Sequence, residues 1–137
     1  MANRSIALNR DSTTSGGQDR PIFGLAAGSI VGQIPPNGLE LAYTGRASHL
    51  GDFTRTETLF LNPDGSFVGQ VVFVAANGDK LFADIDGQFI SPTTAVGAYE
   101  FTGGTGRFLH ATGDAEFEAV TPDGLNVAVT FSGRIRY

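Results

Sequence analysis

The stretch LNVAVTFSGRIRY, residues 125–137, alternates apolar and polar side chains over the length of a β-strand. Successive residues of a strand point to opposite faces of a sheet, so this alternation predicts one buried and one solvated face. The apolar face holds Leu125, Val127, Val129, Phe131 and Ile135, and the polar face holds Asn126, Thr130, Ser132, Arg134 and Arg136. The end of the chain is therefore predicted to be a strand that covers a hydrophobic core.

Seven further runs of strand length precede this one, and turn signals separate them. Asn-Gly or Asp-Gly dipeptides, which suit tight hairpin turns, stand at 37–38, 64–65, 77–78 and 123–124. The runs cover residues 22–32, 39–50, 53–61, 66–75, 80–89, 94–102 and 114–121. An open sheet of eight short strands would expose its edges, and closure removes them. We predict an all-β fold, an eight-stranded antiparallel up-and-down β-barrel, with a β-sandwich as the alternative.

Length and composition limit the classes of protein to consider. The chain has 137 residues, the size of one domain, and we predict a disordered or extended arm over 1–20 and a single barrel domain over 21–137. There is no cysteine, which excludes disulfides and thiolate metal sites. The net charge of -5 argues against nucleic acid or an anionic membrane as a partner. Residues 1–20 contain no apolar run typical of a signal peptide, so we expect a cytoplasmic protein.

The glycine-rich stretch EFTGGTGRFLHATGDAEFEA, residues 100–119, has the composition of a phosphate-binding loop but not its pattern. A P-loop needs Lys and then Ser or Thr after its last glycine, whereas Arg107 and Phe108 follow Gly106. The dinucleotide fingerprint needs a third glycine where Leu109 stands. We therefore predict a sharp structural corner in which Phe108 closes one end of the barrel.

The segment GGTGRFLHATGDAEF, residues 103–117, resembles the Gly-Gly-Thr-Gly-x-Phe segment of dirigent proteins and the similar corner of allene oxide cyclases. The stretches ANGDKLFADIDGQF, 76–89, and LNVAVTFSGRIRY, 125–137, are similar to neighbouring strands of dirigent proteins. The resemblance thus covers roughly residues 77–137. It implies a calycin-like barrel with an apolar pocket, a small apolar ligand, homo-oligomers (a trimer or a dimer), and cofactor-free cyclisation or coupling of a reactive intermediate.

One departure from this resemblance concerns the chemistry. In those families an acidic residue near the first strand takes part in the reaction, whereas PIFGLAAGSIVGQIP, residues 21–35, contains no charged residue. Two functions therefore remain open. The first is a cofactor-independent isomerase or cyclase that acts on an apolar substrate. The second is a non-catalytic barrel that carries an apolar ligand or has a structural or oligomeric role.

The catalytic candidates are Arg55, Glu57 and Tyr43. Arg55 and Glu57 share a strand face with Phe53 and Leu59. If that face points inward, the two charges form an ion pair inside an apolar barrel, which is costly and often functional. If it points outward, they form a surface pair worth little. We favour the outward orientation. Tyr43 could orient a ligand through its hydroxyl.

Aromatic side chains on inward positions of most strands are the predicted ligand contacts. They are Tyr43, Phe73, Phe89, Tyr99, Phe101, Phe117 and Phe131. A barrel of eight strands has room for side chains or for one small ligand, so these residues either line a cavity or fill the core.

No metal site is predicted. Asp84 and Asp86 project to one side of a strand, as do Glu116 and Glu118, and both pairs are typical of a solvated outer face. The run 66–75 is apolar on both faces, and a barrel strand of this kind must be covered outside as well as inside. We expect a subunit interface there.

Overall fold

The computed structural model of the chain describes residues 18–137, so the first 17 residues of the predicted arm lie outside the described residues. Eight strands form the fold. They are β1 (Arg20–Ile34), β2 (Gly38–Ala47), β3 (Gly51–Leu61), β4 (Ser66–Val74), β5 (Lys80–Ser91), β6 (Thr94–Gly104), β7 (Thr112–Val120) and β8 (Asn126–Arg136). Each strand begins and ends within a few residues of a predicted run, because the turn dipeptides fix where the chain reverses.

The strands close into one antiparallel barrel in which each pairs with its neighbours in the chain and β8 pairs with β1. The predicted up-and-down barrel is confirmed, and the alternative β-sandwich is wrong. The alternation of residues 125–137 is also as predicted for Val129, Phe131 and Ile135, which are buried. Leu125 differs: it precedes β8 in a turn and is exposed.

The glycine-rich segment forms the predicted corner between β6 and β7. A 3₁₀ turn spans Gly106–Phe108, and Phe108 is fully buried at this end of the barrel. Gly106 has a φ of 58°, and a Cβ there would fall on the Asp79 carboxylate. Asp79 also accepts a hydrogen bond from the backbone N–H of Arg107. Glycine is therefore required by the backbone shape and by the close approach of a side chain.

The corner is tied to the neighbouring turn by His49, which lies in the loop between β2 and β3. Its ring nitrogens lie 2.8 Å from the Tyr137 hydroxyl and 2.9 Å from the Pro21 carbonyl oxygen. Arg107 donates to the His49 carbonyl oxygen at 2.5 Å. The fully buried Leu50 follows His49. This end of the barrel is thus closed by packed side chains, which leaves the opposite end as the route to the interior.

Candidate functional site

Arg55 and Glu57 face the inside of the barrel, so the outward orientation favoured from sequence is wrong. Arg55 is 2% exposed and Glu57 is 4% exposed. Phe53 and Leu59, on the same strand face, belong to the core. Since side chains alternate strictly along a strand, burying Phe53 and Leu59 carries the two charges inside with them. The register of β3 therefore determines the orientation of these two side chains and outweighs the usual cost of burying ions.

The Arg55 guanidinium is held by one carboxylate, one hydroxyl and three aromatic rings. Nη2 donates to Glu57 Oε1, and Nη1 donates to the Tyr99 hydroxyl at 2.6 Å. The guanidinium carbon lies 4.5 Å from the Tyr43 ring centre, 4.9 Å from that of Tyr99 and 5.3 Å from that of Phe73. Cations are attracted to aromatic faces at such distances, most strongly where water is absent. The surroundings thus stabilise a permanent positive charge.

Ionisation in this cluster is fixed by its neighbours. Burial lowers the pKa of Arg55, but Tyr99, Glu57 and Tyr43 outweigh it and raise the pKa above its usual value. Burial and the Glu57 charge raise the pKa of Tyr43, and burial raises that of Tyr99 to about 12. Both phenols therefore stay protonated at neutral pH. Tyr43 then donates a hydrogen bond to Glu57 Oε2 at 3.5 Å.

A cavity of about 210 Å³ begins at this cluster and extends toward the other end of the barrel. Arg55, Glu57 and Tyr43 line it together with apolar side chains. Pro92, Thr121 and Gly124, which belong to or flank the turns at that end, also line it. The apolar lining consists of Ile30, Leu39, Leu41, Leu59, Leu61, Phe67, Ile85, Phe89, Ala95, Phe117, Ala119, Val127 and Val129. An engineered cavity of about 150 Å³ holds benzene, so this space has the size of a small ring compound.

The predicted aromatic residues divide between the cavity and the filled half of the core. Tyr43, Phe89 and Phe117 line the cavity. The remaining predicted contacts, Phe73, Tyr99, Phe101 and Phe131, are buried outside that lining. Ring centres in the filled half lie 5.6 to 5.9 Å apart for Phe73, Tyr99 and Phe131. The sequence left open whether these residues line a cavity or fill the core. The structure shows a cavity in one half of the interior and a filled core in the other.

Most of the cavity wall is aliphatic, which the analysis of the sequence did not anticipate. Leu39, Leu41, Leu59 and Leu61 contribute four neighbouring positions of β2 and β3. Their strict spacing of two residues placed them on the inner face, and this signal was available in the sequence. What no spacing could reveal is that the inner face leaves a gap at this level of the barrel.

The acidic pairs lie on the outer surface, as predicted. Asp84, Asp86, Glu116 and Glu118 are exposed on β5 and β7. Between residues 18 and 137, no three His, Asp or Glu side chains are grouped so that they could hold a metal ion. No helix in that part of the chain has the length and apolar character needed to cross a membrane. The cytoplasmic location stays a prediction.

Comparison with known proteins concerns the fold. The sequence matches no protein-family model and no curated protein. In a comparison of structures, the chain is similar to the pterocarpan synthase dirigent protein GePTS1, with 15% identity, a TM-score of 0.56, and 88% of this chain and 89% of that chain covered. The chain has a dirigent-like barrel fold.

A second similar structure is a protein of unknown function from Clostridium acetobutylicum, with 12% identity, a TM-score of 0.44, and 85% of this chain and 98% of that chain covered. The similarity to the pterocarpan synthase dirigent protein confirms, at the level of the barrel, the dirigent-like resemblance of residues 77–137.

Proposed function

We propose that the barrel binds a small, mainly apolar molecule in its interior cavity and isomerises or cyclises it without a cofactor. The observation that carries this proposal is the buried Arg55–Glu57 pair in the wall of an otherwise apolar cavity. An internal ion pair is commonly no more stable than apolar residues of the same volume. Its position beside an open space is therefore better explained by chemistry than by stability.

The roles follow from the ionisation of each group. The Glu57 carboxylate accepts a proton from a carbon next to a substrate carbonyl, and the same group returns that proton to another carbon. The positive charge of Arg55 stabilises the negative charge that develops on the substrate oxygen in between. Tyr43, which donates to Glu57, keeps the carboxylate in place. Such a proton shift conserves electrons and needs no oxidant.

The second candidate function is a carrier that binds the same kind of molecule without reaction. It is favoured by the mutual pairing of Arg55 and Glu57, because both carboxylate oxygens already accept a hydrogen bond, one from a guanidinium and one from a phenol. The barrel and cavity are common to both proposals, so only a measurement of proton transfer separates them.

Exchange of carbon-bound hydrogen tests the two functions directly. The protein is incubated in deuterated buffer with cyclohexyl methyl ketone, a single-ring ketone, and loss of its α-proton signals is followed by NMR. We expect the unmodified protein to accelerate exchange and Glu57→Gln to abolish the acceleration. Asp52→Asn on the outside of β3 serves as the matched control. Binding of the ketone without faster exchange would support the carrier and refute the enzyme.

We propose in addition that copies of the chain associate through the outer face of β4. This strand contains no charged residue, Val68 is 53% exposed, and the adjacent Phe60 is 39% exposed. The outer face of β5 to β7 carries instead six exposed carboxylates, namely Asp84, Asp86, Glu100, Asp114, Glu116 and Glu118. Like charges would repel there, so the uncharged face of β4 suits a second copy better than the face of β5 to β7.

Sedimentation equilibrium tests this association. Val68→Lys places a charge on the apolar face and is expected to shift the protein to monomer. Val96→Lys, a change at a 36% exposed valine next to Glu118, is the matched control and is expected to leave the mass unchanged. A monomeric unmodified protein, or equal masses for both variants and the parent, would contradict the proposal.

A further inference from the structure

Two buried side-chain atoms in the described part of the barrel have no hydrogen-bond partner, and both belong to residues that line the cavity. Within residues 18–137 they are Arg55 Nε and Thr121 Oγ1. Buried polar groups of folded proteins nearly always have a partner. Both atoms are themselves covered, but both belong to residues that line one cavity, which points to a partner that enters the cavity and reaches them.

Arg55 is the more informative of the two. Its two terminal nitrogens are engaged by Glu57 and Tyr99, whereas Nε has no acceptor among the described residues. The residue is 2% exposed, so bulk water does not reach the group freely. A charged N–H donor without an acceptor is costly in such surroundings, and a ligand atom that accepts this hydrogen bond would bind strongly. Thr121 is half-buried as a residue and flanks a turn at the open end of the barrel, and its uncharged hydroxyl loses less than a guanidinium N–H when it has no partner.

The charges in the cavity wall limit which ligand atom can accept a hydrogen bond from Arg55 Nε. Among the described residues that line the cavity, Arg55 and Glu57 are the only ones with charged side chains, and they neutralise each other. An anionic ligand would bring a charge that no further group compensates and would approach the Glu57 carboxylate. A neutral oxygen satisfies Nε without that cost. The remaining wall is apolar and suits a hydrocarbon body.

We infer that the cavity selects an uncharged molecule with an apolar body of about one ring and a carbonyl- or ether-type oxygen that accepts a hydrogen bond from Arg55 Nε. The inference rests on the proposed binding function and specifies the ligand of that site. Carboxylates and pure hydrocarbons of the same shape are excluded as preferred ligands.

Calorimetric titration of the unmodified protein at pH 7 tests the inference with three probes of matched shape. They are isopropylcyclohexane, cyclohexyl methyl ketone and cyclohexanecarboxylate. We expect the ketone to bind at least tenfold more tightly than either of the others. Equal binding of the hydrocarbon, or equal or tighter binding of the carboxylate, would overturn the inference while leaving binding in the cavity intact. If none of the three binds, the proposed function itself fails.

Two variants locate the oxygen. Arg55→Lys keeps the positive charge and removes Nε–H, so the ketone should lose its advantage over the hydrocarbon. Thr121→Val removes the other unpaired atom. If the advantage disappears in Thr121→Val and persists in Arg55→Lys, the oxygen lies at Thr121 and the inference is wrong. A crystal structure with the ketone bound gives a check that is independent of variant folding: its oxygen should lie within hydrogen-bond distance of Arg55 Nε, and a water there instead would contradict the inference.

Discussion

Removing one partner of the internal ion pair should destabilise the barrel far more than removing both. In Glu57→Leu the guanidinium of Arg55 loses its carboxylate and keeps only the Tyr99 hydroxyl and aromatic faces as partners. Arg55 is 2% exposed, and an arginine guanidinium stays protonated in proteins, so the group can neither shed its charge nor reach water. Breaking a buried pair in this way costs about 3–5 kcal/mol.

The double variant Arg55→Met, Glu57→Leu removes both charges and fills similar volume. Such replacements are neutral or stabilising by about 1–4 kcal/mol. The exposed pair of Arg46 and Asp52 serves as the control for the internal pair. Its charged atoms lie 2.8 Å apart, and its side chains are 77% and 75% exposed. Asp52→Asn on the same strand should cost at most about 1 kcal/mol.

Urea unfolding followed by circular dichroism measures all three variants. At a slope of about 2 kcal/mol per molar urea, Glu57→Leu should lower the midpoint by roughly 2 M. The midpoint of the double variant should lie at or above that of the parent protein. If Glu57→Leu unfolds within about 0.5 M of Asp52→Asn, the pair is not desolvated in solution, and the interpretation of the cavity as a charged site in an apolar wall is refuted.

Four further variants test two glycines, one turn carboxylate and one buried phenol. Gly113 has a φ of 121°, and the Cβ of Gly113→Ala would lie 2.2 Å from the Arg134 carbonyl oxygen, so this variant should lose roughly 3 kcal/mol of unfolding free energy. The Cβ of Gly124→Ala would meet nothing within 4 Å, so this variant should lose only about 1 kcal/mol in the same urea assay. Hydrogen bonds from two backbone N–H groups lower the pKa of Asp123 to about 2, so its contribution to stability is present above pH ~4 and lost as the pH falls toward 2. Its carboxyl should titrate near pH 2 by NMR. Asp123→Asn should reduce the loss of stability between pH ~4 and 2. Tyr99, with a pKa of about 12 against ~10 unfolded, contributes stability below pH ~10 that is lost as the pH rises through 12. Tyr99→Phe should remove this part of the alkaline loss and the tyrosinate absorbance change near pH 12, and an unchanged profile would contradict the burial of its hydroxyl.

The barrel could be predicted from the sequence because two local signals agree. Alternation with a period of two marks the inner face of each strand, and the Asn-Gly and Asp-Gly dipeptides mark the reversals between them. The corner at 103–113 was also predictable from local sequence, because its glycines are not followed by the residues that phosphate binding needs. These signals depend on neighbours in the chain and not on distant contacts.

The orientation of Arg55 and Glu57 was predicted wrongly because two preferences conflict. Charge favours solvent, whereas the shared face with Phe53 and Leu59 favours the core. Tyr99 and Tyr43, which make the inward orientation tolerable, lie on β6 and β2. Tyr43 pairs with Arg55 across the β2–β3 hairpin, whereas the approach of Tyr99 from β6 depends on closure of the barrel, which a single sequence does not display. The same holds for the cavity, which results from how thirteen apolar side chains meet across strands.

The seam between β1 and β8 determines how the barrel can fold. Seven of the eight strand pairings join neighbours along the chain, and each can form from a short hairpin. The eighth sets Arg20 opposite Ile135 and must bring together segments separated by nearly the whole described chain. Closing such a long loop has the largest entropic cost, so this pairing is expected to limit the folding rate. Until it forms, two edges stay open to other chains, and the nascent protein is most prone to aggregate at that stage.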